Sequence, residues 1–163
     1  MLMEIIMPIG ISGSGKSRLY KMRYSDLELV SPDLIRKELT GDISNQTMNS
    51  EVFEEVDRRI DDLVRKGRSF YYDATNVNTK LRKNFVNKYR GNPNVRITYV
   101  ILPSNMDEAY ARIKDDIKNK VDRSKVPFEA IIRQKGFYNA SLKSNFEGEN
   151  VQEIVYLKPE DLA

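Results

Sequence analysis

The chain has 163 residues, 40% of them apolar and 31% charged, and a formal net charge of +3. This suits one soluble domain with a sizeable core and excludes a disordered chain. The absence of cysteine and histidine excludes a disulfide framework, a thiol nucleophile and a histidine base, leaving Asp, Glu, Lys or Tyr for any acid–base work.

The first element is a short apolar run, Ile5-Ile6-Met7-Pro8-Ile9, which predicts a buried strand over 4–9. It feeds Gly10-Ile11-Ser12-Gly13-Ser14-Gly15-Lys16-Ser17, the spacing of a Walker A phosphate loop with a strand before it and a helix after it. The glycines let successive N–H groups turn toward an anion. Lys16 is the residue to reach the β- and γ-phosphates, and the Ser17 hydroxyl the one to hold Mg²⁺. Gly10, Ser12, Gly13, Ser14, Gly15, Lys16 and Ser17 are therefore the expected nucleotide-binding set. ATP or another nucleoside triphosphate, with Mg²⁺, is the expected ligand.

The helix after the loop is expected to reach about Tyr24. Leu27–Val30 reads as a second strand, and Ser31-Pro32-Asp33 as an N-cap and first turn opening a helix to about Leu39. Residues 40–49 read as a loop. Val52, Phe53, Val56, Ile60, Leu63 and Val64 repeat with helical period over 50–66, and Gly67 closes that helix. Ser69–Asp73 reads as an aromatic third strand, with Ala74-Thr75-Asn76 as its loop. A helix over 79–89, a strand over 95–102, a helix over 105–119, a charged connection over 122–126, a helix over 127–138 and a last strand over 151–157 complete the chain.

Strands alternating with helices predict an α/β fold: a parallel sheet of about five strands with helices on both faces, as one domain over 1–163. Ligands of such sheets gather at the carboxyl ends of the strands. That rule brings the phosphate loop, Asp33 and Asp73 to one rim. Asp33 is the candidate to accept a proton from an acceptor hydroxyl, with Arg36 one turn on to clamp an acceptor phosphate. Asp73 ends a strand where a Walker B-type carboxylate would sit. Taken singly, Asp33 could merely complement a helix dipole and Arg36 line a solvated face. Tyr71, Tyr72 and Tyr138 could stack on bases, although core packing is the ordinary fate of such side chains.

Four stretches resemble the 5′-kinase domain of the polynucleotide kinases, a family of phage and repair enzymes. They are Gly10–Ser17, Ser31-Pro32-Asp33-Leu34-Ile35-Arg36, Asp73-Ala74-Thr75-Asn76 with Arg82 further on, and Val126-Pro127 opening a late helix. The resemblance implies a P-loop kinase fold and transfer of an ATP γ-phosphate, with Mg²⁺, to the 5′-hydroxyl end of DNA or RNA. It implies Asp33 as general base, Arg36 as the grip on the acceptor phosphate, and Asp73 and Arg82 on the substrate side. A lid over about 112–126 would bring an arginine to the ATP phosphates; Arg123 matches best by position, with Arg112 as a second choice. Departures are a longer, lysine-rich lid around 115–125 and Ser12 where the family often has proline. With no Asp-x-Asp nucleophile for a 3′-phosphatase, a stand-alone kinase is implied.

Charge is uneven along the chain. Residues 78–144 carry 15 Lys and Arg against 6 Asp and Glu, a net +9 that leaves −6 for the remainder. Such a segment suits a polyanion such as a nucleic acid, or is simply solvated helix surface. The alternatives are a small-molecule or toxin-like kinase and, in another class, a nucleotide-dependent binding module without transfer. No run nears the roughly eighteen apolar residues of a membrane span. The N-terminus lacks the basic start of a signal peptide. A cytoplasmic location without membrane partners is expected, in a phage host if the protein is phage-encoded.

Overall fold

A computed structural model describes residues 2–163. Strands β1 (Met3–Ile9), β2 (Glu28–Val30), β3 (Phe70–Tyr72), β4 (Val95–Ile101) and β5 (Glu153–Tyr156) form one sheet in the order β2-β3-β1-β4-β5. Every pairing is parallel. The described residues form six α-helices: α1 (Lys16–Leu19), α2 (Pro32–Thr40), α3 (Asn49–Lys66), α4 (Thr79–Tyr89), α5 (Met106–Lys118) and α6 (Phe128–Lys143). The predicted alternation is the observed one. Local chemistry sets its ends: the Ser31 hydroxyl accepts from Leu34 N–H at 3.2 Å to start α2, and left-handed Gly67 (φ 67°) stops α3.

The two faces of the sheet are covered unequally, because side chains alternate along each strand. Ile5, Met7, Ile9, Ile97, Tyr99 and Ile101 point to one face, where α3, α4, α5 and α6 contribute Val52, Val86, Ile113 and Ile131. The opposite face holds a smaller cluster of Ile6, Leu19, Tyr71, Val100, Leu102 and Leu157. There α1 runs straight into a π-type turn over Tyr20–Tyr24. That turn lays Tyr20 and Tyr24 against Tyr71, with ring centroids 5.3 and 5.5 Å away. Below them the face turns polar: Arg96 on β4 reaches Glu4 on β1 at 3.7 Å and Glu153 on β5 at 3.0 Å.

Two elements differ from expectation. Helix α6 runs to Lys143, five residues past the expected end, and a 3₁₀ turn over Pro159–Leu162 follows β5. Its Leu162 joins the smaller cluster and comes near Gly15. The expected lid also divides: residues 112–118 complete α5, and only 119–127 are irregular. No helix among the described residues is long and apolar enough to cross a membrane.

Candidate active site

The phosphate loop leaves β1, the central strand, and is held at several points. Gly10 N–H donates to Thr75 C=O at 3.1 Å, and Ile11 N–H to the Ser104 hydroxyl at 3.2 Å. Gly13 and Gly15 have φ of 80° and 104°, a region L side chains rarely adopt. A Cβ at Gly13 would also stand 2.5 Å from the Ala109 carbonyl of α5. No side chain caps the start of α1, and an uncapped helix start is a place where free N–H groups can meet an anion. Ser14 has a buried hydroxyl without a partner among the described residues.

Lys16 Nζ lies over the loop, donating to Ile11 C=O at 2.7 Å and Gly10 C=O at 3.2 Å. Burial lowers its pKa to about 8, against an upward pull from Asp73; Arg123 adds to the fall and Asp33 opposes it. Burial likewise pushes the Asp73 carboxyl above its ordinary value, while Lys16 and a hydrogen bond from Ser17 pull it down and Asp33 raises it further. Lys16 thus feels charged groups from α2, the end of β3 and the expected lid. The rim expected from topology gathers Lys16, Asp33 and Asp73 as read, and Arg123 with them.

Ser17 Oγ donates to Asp73 Oδ2 at 2.8 Å. Among the described residues no group of three or more acidic, Cys or His side chains could enclose a metal. A lone hydroxyl–carboxylate pair beside a phosphate loop fits Mg²⁺, which keeps several waters and takes its remaining ligands from one or two side chains and substrate phosphates. The orphan Ser14 hydroxyl and the uncapped helix start fit a triphosphate in the same way.

On α2, Arg36 Nη1 donates to Asp33 Oδ1 at 2.7 Å and Nη2 to Asn49 at 3.3 Å. Its Nε is buried with no partner among the described residues. The Asp33 side chain is 51% exposed, and that of Arg36 only 6%. Asp33 thus offers its second oxygen outward while Arg36 holds the first.

Arg82 is the exception. Expected on the substrate side, its side chain is wholly buried behind the rim and paired with Glu149 at 2.6 Å. It lies against the Tyr99 and Phe146 rings and donates to Asn76 C=O at 2.8 Å and to Ser141 at 3.0 Å. With its side chain 0% exposed, it does not face the rim. Its work is to fasten the loop after β3, whose Asn76 in turn donates to Pro8 C=O at 2.8 Å.

The lid is tied to both sides. Arg123 pairs with Asp116 at 2.9 Å, Asp122 with Lys37 of α2, and Lys125 N–H donates to Ser44 at 3.0 Å. A groove of about 300 Å³ runs between the lid and the 41–48 loop, lined by Ile43, Ser44, Val121, Arg123 and Lys125. Sequence reasoning passed over Gln134, whose amide grips Ser12, and over the hydroxyl of Tyr71: that ring is buried in the core, as is ordinary for such side chains, while its O–H donates to Lys16 C=O at 2.7 Å. Neither carries a local motif.

Sheet order, phosphate loop and rim together define a P-loop kinase-like α/β fold. The chain belongs to the AAA_33 family, described as an AAA domain, whose family model matches residues 5–140. Among solved structures it is similar to a chain of the Pnkp1/Rnl/Hen1 RNA repair complex, with 20% identity and a TM-score of 0.74 over 88% of this chain and 46% of that one. It is also similar to a chain of the PezAT chromosomal toxin–antitoxin system of Streptococcus pneumoniae (11% identity, TM-score 0.74, 98% of this chain and 69% of that). A Chloroflexus aurantiacus protein suggested to be a kinase gives 11% identity and a TM-score of 0.66, over 96% of this chain and 88% of that. The chain spans about half the length, 46%, of the RNA-repair chain. No curated protein matches the sequence. At these identities the likenesses concern the fold.

Proposed function

We propose that the chain is a kinase that moves the γ-phosphate of ATP, with Mg²⁺, to the 5′-hydroxyl end of a nucleic acid strand. The observation that carries this reading is geometric: Ser17 Oγ donates to Asp73 Oδ2 at 2.8 Å beside Lys16, and Asp33, with its side chain 51% exposed, is held by Arg36 at 2.7 Å after the neighbouring strand. A phosphate-binding lysine, a carboxylate on the metal-side hydroxyl and a second, half-exposed carboxylate thus come from three strand ends. A nucleotide switch has use for the first two and none for the third.

In this reading the loop 10–17 cradles the phosphates, and Lys16 exchanges the Gly10 and Ile11 carbonyls for phosphate oxygens. Bound Mg²⁺, held from the side of Ser17 and Asp73, would neutralise charge on the β- and γ-oxygens. The outward oxygen of Asp33 takes the acceptor proton as the new O–P bond forms and the bond to the β-phosphate breaks. Arg36 grips an acceptor phosphate by turning out of its pairing with Asp33 and Asn49, which leaves its Nε without a partner among the described residues. Arg123, released from Asp116, stabilises the charge in transfer.

A polymeric acceptor is supported by the net +9 of residues 78–144 and by the likeness to the RNA-repair chain. The toxin–antitoxin chain has an equal TM-score, 0.74, so acceptor choice must be measured. The test is transfer of labelled γ-phosphate to a 5′-hydroxyl oligonucleotide, beside a panel of nucleosides and sugars. Asp33→Asn should keep ATP binding and lower transfer by about 10²–10⁴-fold. Label found only on a small molecule would overturn the nucleic acid acceptor, and full activity in Asp33→Asn would sink the base.

A further inference from the structure

The tip of the phosphate loop is gripped by both helices that flank the lid. From α5, Arg112 Nη1 donates to Gly13 C=O at 2.9 Å. From α6, Gln134 accepts the Ser12 N–H on Oε1 at 2.8 Å and donates from Nε2 to the Ser12 hydroxyl at 3.1 Å. One amide thus occupies the N–H and the hydroxyl of a single loop residue, 122 positions away in sequence.

Ser12 is the second residue of a turn closed by Ser14 N–H to Ile11 C=O at 3.1 Å, with Gly13 third at φ 80°. That is type II geometry, in which the turn's own hydrogen bond joins the two end residues and the N–H of the second is left for a partner outside the turn. Gln134 is what holds it. The residues next along, Gly13 to Ser17, are those whose N–H groups must converge on the phosphates, so a shift at Ser12 is passed directly to the nucleotide cradle.

We propose that Gln134 is a positioning residue for the phosphate loop: it sets the loop's nucleotide-ready form through Ser12 and couples that form to the lid-bearing helix α6. The proposal rests on the reading of Gly10–Ser17 as a nucleotide site. It does not depend on the acceptor.

The experiment is a double-substitution cycle read by titration with a fluorescent ATP analogue. Gln134→Met keeps the length and packing of the side chain and removes the amide. Ser12→Pro suits the second place of a type II turn and removes both groups that Gln134 holds. Gln134→Met alone should weaken nucleotide binding by about tenfold, the worth of one to two neutral hydrogen bonds. In the Ser12→Pro background it should change affinity by less than about twofold. The acceptor KM should be unmoved in Gln134→Met, and its melting temperature should fall by no more than a few degrees.

An equal loss in both backgrounds would overturn the proposal, since Gln134 would then act elsewhere; so would no loss in the native background. If Ser12→Pro does not fold, Ser12→Ala serves in its place: it removes the 3.1 Å contact alone, and the Gln134→Met loss must shrink there. A wild-type chain that binds no ATP analogue would defeat the nucleotide reading itself, which this titration detects before any variant is compared.

Discussion

Among the described residues, the cluster of charge around Arg82 and the one at the rim are built on opposite terms. Around Arg82, the guanidinium meets both Glu149 oxygens, Ser141, two backbone carbonyls and two aromatic faces. Burial pushes Glu149 upward, yet the hydrogen bonds from Arg82 and Tyr99 outweigh it and leave the carboxyl below its ordinary value. At the rim, burial wins instead. Lys16 is held down at about 8, Asp73 is raised, and the Ser14 hydroxyl and Arg36 Nε have no partner among the described residues. A satisfied cluster holds a fold together, whereas an under-satisfied one is what a polar ligand would complete.

The comparison breaks most visibly by emptying the satisfied cluster. Arg82→Met leaves Glu149 buried without its cation, which should cost about 3–5 kcal/mol and lower the melting temperature by on the order of 10 °C. Molecules that remain folded should bind nucleotide as before. Adding Glu149→Leu should restore much of the stability, because an apolar pair carries no desolvation cost. A melting temperature unchanged by Arg82→Met, with nucleotide affinity lost, would return Arg82 to the ligand side.

Why these two arginines could be confused is visible in the sequence. Arg36 and Arg82 follow strand-end aspartates by three and nine residues, and charge alone would place both outward. In α4, Arg82, Val86 and Tyr89 share one buried stripe at i, i+4 and i+7, while Leu81 is left 66% exposed. The stripe was legible, but Glu149, the partner that makes an arginine tolerable in it, lies 67 residues away. The strands and most helix ends were legible because caps, glycines and periodicity are local. The π-type turn at Tyr20–Tyr24 depends on Tyr71, and the Gln134 grip on Ser12 is likewise a contact between distant segments. No local pattern announces either.

The rim's imbalance has a sign that titration can read. Lys16 has a pKa near 8 in the folded chain against an ordinary 10.5, so between those values the unfolded chain holds a proton the folded one has lost. Stability without ligand should therefore rise with pH across that window. Nucleotide binding should do the reverse, because the phosphates need the charged lysine. Above about pH 8, ATP affinity should fall by up to about tenfold per pH unit, with up to one proton taken up on binding. Calorimetry in two buffers of different ionisation enthalpy measures that proton, and Lys16→Gln should abolish it. Flat affinity from pH 7.5 to 9.5 would mean that Lys16 is not desolvated as the geometry implies.

The smallest effect is also the sharpest contrast with Arg82. The Ser14 hydroxyl is buried, has no partner among the described residues, and lies where a Cβ on Gly10 would come within 2.5 Å. A polar group in that condition costs stability rather than adding it. Ser14→Ala should therefore leave the ligand-free chain as stable or stabilise it by about 1 kcal/mol, while weakening ATP by a few-fold. Chemical unfolding with and without nucleotide separates the two terms. Opposite signs in the two measurements are what an under-satisfied, ligand-directed group requires. A loss of stability without ligand would instead show that the hydroxyl already has a partner, and would move Ser14 from the rim's side of the comparison to that of Arg82.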